Sequence, residues 1–117
     1  MKDATMLRIM VDGDTFYTTA REFFADNAED DETCEAVRGL EAGGTVTLGL
    51  GHHVTALEPV AILSTVDGQD EPSVTTTVDW LAENIDYLYP GACDDLARAM
   101  VSTDEVEVGP FYIRGAR

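Results

Sequence analysis

Laid against itself, the sequence matches in four places and in the same order, so the fold has to be one small unit built twice. Val11-Asp12-Gly13 recurs as Val66-Asp67-Gly68, an offset of 55, each time after an apolar segment, Leu7 to Met10 and Ile62 to Thr65. Thr19 to Asn27 matches Thr76 to Asn84 at 57, Cys34-Glu35 matches Cys93-Asp94 at 59, and Val46 to Gly49 matches Val106 to Gly109 at 60. The offset drifts by steps the size of a loop change. The repeat units are therefore residues 1–57 and 58–117, packed as a single domain, which is the size of chain that one domain needs.

Each unit has its own local grammar. Leu7, Ile9 and Val11 alternate with Met6, Arg8 and Met10, the period of a half-buried strand. Asp12-Gly13 is a hairpin-turn pair, so Asp14 to Thr18 returns as a second strand. Thr18 or Thr19 before Arg21-Glu22 reads as a helix cap followed by an acid, and the helix runs over Ala20 to Asn27. A second helix follows from Asp31 to Leu40, with Cys34, Val37 and Leu40 on one side and Gly43-Gly44 to end it, and then a strand over Thr45 to Leu48. In the second unit the helices are Asp79 to Tyr87 and Cys93 to Met100 around Pro90-Gly91, with strand over Glu105 to Val108 and Phe111 to Ile113. The fold class is α+β, two degenerate β-β-α-α-β repeats.

Charge decides which functions to consider. With 23 Asp plus Glu against 7 Lys plus Arg the formal net charge is −16. Such a surface repels nucleic acid and anionic lipid and attracts basic proteins. The 44% of hydrophobic residues is enough for a core, which argues against a disordered acidic tail. No run approaches the roughly 18 apolar residues that cross a bilayer, and residues 1–8 do not resemble a signal peptide, so the expected compartment is the cytoplasm and no membrane contact is expected. Two cysteines without CxxC spacing signal neither a redox motif nor a zinc site, and are read as buried free thiols.

Catalytic motifs are missing. His52 and His53 are strand neighbours that point to opposite faces and do not share a metal. The glycines at 43, 44, 49 and 51 lack the lysine of a phosphate loop, and Asp12-Gly13-Asp14 lacks the later acids of a calcium loop. Ser64, Ser73 and Ser102 have no nucleophile context. No enzyme, metal or cofactor is expected.

Acidic residues are the informative constellation. Glu22, Asp26 and Glu29 fall at i, i+4, i+7 on the first long helix, and Asp79, Glu83 and Asp86 repeat the stripe on its counterpart. Like charges four apart each cost a helix a few tenths of a kcal/mol. Duplex DNA carries one charge per roughly 1.7 Å of axis, so −16 equals the charge of about eight base pairs. The candidate partner-binding set is Glu22, Asp26, Glu29, Asp30, Asp79, Glu83 and Asp86, with Tyr87 and Tyr89 as aromatics released to an interface.

In size, charge and striped carboxylates the chain resembles small phage-encoded inhibitors of host DNA-binding defences, the anti-CRISPR and anti-restriction proteins. The resemblance is one of kind and carries no shared motif. It implies inhibition by occlusion: a monomer or homodimer that fills a basic nucleic-acid-binding groove on a host complex and performs no chemistry. The alternative is a non-catalytic adaptor or structural domain of a halophilic or high-GC organism, whose acidity serves solubility.

Overall fold

The computed structural model describes residues 1–116 and divides the chain into two compact units, Met1–Glu58 and Pro59–Arg117. In the first unit, strands β1 (Met6–Val11) and β2 (Asp14–Thr19) precede helices α1 (Ala20–Asp26) and α2 (Asp31–Arg38), then strands β3 (Thr45–Gly49) and β4 (His52–Ala56). The second has β5 (Ala61–Val66), β6 (Ser73–Thr76), α3 (Thr77–Asn84), a 3-10 turn at Ile85–Tyr87, α4 (Ala92–Ala99), β7 (Val106–Val108) and β8 (Phe111–Gly115).

The duplication extends to topology and register. Both sheets have four antiparallel strands, in the orders β2-β1-β4-β3 and β6-β5-β8-β7. Leu7 pairs with Ala56 and Ile9 with Val54 in the first; at the equivalent places Ile62 pairs with Gly115 and Ser64 with Ile113 in the second. Gly115 stands where Ala56 does because a Cβ there would come within 2.8 Å of the Met100 carbonyl.

Each unit runs β-β-α-α-β-β, one strand more than the expected order, and in the first unit the further strand, β4, lies outside every expected element. β4 pairs on both sides and so sits in the middle of its sheet. Its last three residues, Val54, Thr55 and Ala56, are all buried. A strand covered on both faces has no polar alternation to mark it.

Local chemistry explains the remaining elements. Asp12 and Gly13 both have positive φ, 50° and 90°, as the tight turn whose twist matches the flanking strands requires. Leu7, Ile9, Val54 and Ala56 face the helices and form a core with Ala20, Phe23 and Val37. A buried side chain of this size contributes about 1.5 to 3 kcal/mol. In the second unit Ile62, Trp80, Leu81, Leu96, Val108 and Ile113 are buried, so Phe23 corresponds to Trp80, Val37 to Leu96 and Val54 to Ile113. Cys34 and Cys93 are both buried and in no disulfide, each three residues before the buried Val37 or Leu96.

Candidate partner-binding surface

The first helices of the two units, α1 and α3, begin and end on the same devices. Thr19 caps α1, its hydroxyl accepting from the Glu22 N–H at 3.2 Å, and Thr76 caps α3 by accepting from the Asp79 N–H at 3.2 Å. At the other end the Asn27 side-chain amide donates to the Phe23 carbonyl at 2.9 Å, and that of Asn84 donates to the Trp80 carbonyl at 2.8 Å. Both devices stand 57 residues apart in the chain.

These ends break up the expected three-acid stripes. α1 stops at Asp26, so Glu29 lies in the following turn, and Asp86 falls in the tighter 3-10 turn after α3. What repeats is a pair: Glu22 with Asp26, and Asp79 with Glu83, all four exposed. The members of each pair are not equivalent. Glu22 and Asp79 occupy the third position of their helices, where a carboxylate meets unpaired N–H groups and the positive end of the helix dipole. Glu22 also accepts from the Thr18 hydroxyl at 3.2 Å. Helix stability alone accounts for these two acids.

Asp26 and Glu83 are placed the other way round. They sit in the last turns of α1 and α3, where a negative charge opposes the dipole at a cost of about 0.3 to 1 kcal/mol. Neither is paired with a described cation. The other two helices follow the rule, with Arg38 in the last turn of α2 and Arg98 in that of α4. Arg38 is held over the Phe24 ring, 4.7 Å from its centre, and Arg98 pairs with Asp95.

Two further candidates have structural duties. Asp30 caps α2: one oxygen accepts from the Thr33 N–H at 3.1 Å and the other from the Thr33 hydroxyl at 2.8 Å. Those bonds hold its carboxyl below the usual range. Tyr89 donates its hydroxyl to Asp95, and its ring lies against Gly109, where a Cβ would meet it at 3.5 Å. Burial, with the Asp95 bond second, pushes the Tyr89 hydroxyl up to about 12. Both residues look from sequence like free surface groups because their partners are a helix start and a helix across a turn. Tyr87, by contrast, is 84% exposed.

Within the first unit the structure gathers Asp26, Glu29 and Asp30 around a shallow depression at the α1–α2 turn. In the second it strings Glu83, Asp86 and Tyr87 over successive turns. Asp31 and Glu32, in the first turn of α2, extend the first group and were not singled out in the sequence, although the Asp30-x-x-Thr33 spacing marks a cap there.

His52 and His53 are consecutive on β4 and so lie on opposite faces, with His53 Nδ1 2.9 Å from the Thr47 hydroxyl. Among the described residues no group of three or more His, Cys, Asp or Glu is placed to hold a metal ion, and no helix is long and apolar enough to cross a membrane. No protein family, curated protein or solved structure matches the chain.

Proposed function

We propose that this chain is an acidic, non-catalytic inhibitor that occludes a basic nucleic-acid-binding groove on a cytoplasmic host-defence complex, in the manner of the anti-CRISPR and anti-restriction proteins. The observation that carries the reading is the placement of Asp26 and Glu83. Both repeats keep an acid without a described cation beside it where the helix it stands on is better without one. Acidity serving solubility alone is met equally well by positions that do not oppose a dipole, and residues that break a local rule mark functional surface. Glu29 and Asp86, just beyond the two helices, continue the negative surface, and Tyr87 supplies an exposed aromatic beside it.

The test is competition. A labelled 20-base-pair duplex is bound to each of a panel of CRISPR effector complexes and restriction endonucleases, and the chain is titrated in while anisotropy is followed. Displacement from a panel member, weakening steeply with salt because exposed charges are screened over roughly 8 to 10 Å, supports the reading. It fails if no complex releases DNA or if the chain itself binds the duplex. Absence of displacement together with unfolding in low salt assigns the acidity to salt adaptation.

A further inference from the structure

The repeats differ most at the end of each sheet that carries the β1–β2 or β5–β6 turn. In the second unit aromatic rings cover part of that end, where the Trp80 ring stands edge-on to Phe111 at 5.2 Å, Tyr89 lies against Gly109 and Val108 is 1% exposed, while Val66 at its margin stays 38% exposed. In the first unit the fully buried core stops at the row of Ile9 and Val54. Trp80 is replaced there by the shorter Phe23, and Phe111 by His52. Val11 and Leu48 are left half-buried, and Phe16, which pairs with Ile9 and so shares the helix-bearing face, is 44% exposed. The β3–β4 turn, Leu50-Gly51, has two residues like β7–β8, but β3 carries a bulge between Thr47 and Gly49 beside it, and Leu50 stands out between two glycines at 102% exposure. Gly51 needs its positive φ of 71° to bring the turn beside Asp12, whose N–H donates to the Gly51 carbonyl at 3.1 Å.

We infer that this open sheet end, formed by Val11, Phe16, Leu48 and Leu50 with Asp12 and Asp14 beside it, is an apolar anchor for the basic partner proposed above. It receives an apolar side chain of a partner segment whose neighbouring residues are lysine or arginine. Charge complementarity selects that occupant. A second copy would bring another −16 and a second Asp12 and Asp14 against the first, whereas a basic segment meets both carboxylates with cations. The inference rests on the occlusion reading for its partner and adds a component that salt does not screen, since burial of apolar surface is not electrostatic.

Two labelled peptides of equal charge serve as probes, KLLKLLKLLK and KSSKSSKSSK, titrated with the full chain at 0.5 M salt. The leucine peptide is expected to bind at least about ten-fold more tightly, the order for one buried leucine, and Phe16→Ser with Leu50→Ser is expected to abolish the preference. Leu50→Ser alone, at a fully exposed tip, reduces the preference in a chain whose fold it cannot disturb. Equal binding of the two peptides overturns the inference, as does a preference that survives both variants. Sedimentation showing that this end joins two copies, with the dimer lost in the variants, also overturns it. Failure of DNA displacement with the peptide preference intact counts against occlusion, not against the anchor.

Discussion

Removing the helix caps should have a matched cost in the two repeats, and the structure gives its size. Thr19→Ala and Thr76→Ala each delete a hydroxyl that accepts a third-position N–H at 3.2 Å, which leaves that donor to water. Loss of a threonine cap costs about 1 kcal/mol, within a range of about 0.5 to 2. Thr19 is only 2% exposed, so Thr19→Ala also removes a buried methyl group, worth up to about 0.8 kcal/mol, while the half-buried Thr76 loses less. Serine separates the two effects, because it keeps the hydroxyl and drops the methyl. The difference between the Ser and Ala variants should therefore be about 1 kcal/mol at both positions, although the Ala variants themselves differ. Urea unfolding of the four variants measures this directly. If Ser and Ala are equally stable at either site, the bond there is not a cap. A disparity above about 1 kcal/mol between the sites would refute the equivalence of the repeats.

Two predictions concern titration. The Tyr89 hydroxyl is neutral in the folded chain up to about pH 12 and in the unfolded chain up to 10.0, so the stability drawn from it is complete below 10.0 and is lost as the pH rises through about 12. Tyr89→Phe should remove that part of the alkaline loss, seen as a smaller difference in urea midpoint between pH 9 and 11.5 than the parent shows. Asp30 has the opposite sign: its folded value lies below 3.8, so its contribution is present above that pH and disappears as the pH falls through the lower value. Asp30→Asn, which keeps an acceptor, should flatten the acid limb of the melting-temperature profile, whereas Asp30→Ala should also lower it at neutral pH.

Much of the fold is legible in the chain because its signals are local. Asp12-Gly13 fixes one hairpin, Thr19 and Thr76 start the first helix of each unit, and the four ordered matches foretell two sheets of one topology. What was hidden depends on contacts distant in sequence. β4 is buried on both faces and so loses its alternation, Tyr89 is committed to Asp95, and the packing of Trp80 on Phe111 at one sheet end needs a helix and a strand 31 residues apart. The acidic stripes failed for a different reason. The 3.6-residue period does not continue past Asn27 and Asn84, whose side chains take the carbonyls of Phe23 and Trp80 and mark the last α-helical turns.

The most direct measurement sets charge reversal in the last turns against charge reversal in the first. Asp26→Lys with Glu83→Lys places cations where the helix dipoles favour them, so the double variant should melt no lower than the parent. Glu22→Lys with Asp79→Lys places them at the N-terminal ends and should melt lower. In the DNA-competition assay the first double variant should lose displacement by on the order of ten-fold or more, since each reversal turns an attraction worth up to about 1 kcal/mol into a repulsion. Loss of inhibition without loss of stability is the result expected of a binding surface. A well-folded Asp26→Lys, Glu83→Lys chain that displaces DNA as effectively as the parent would contradict it.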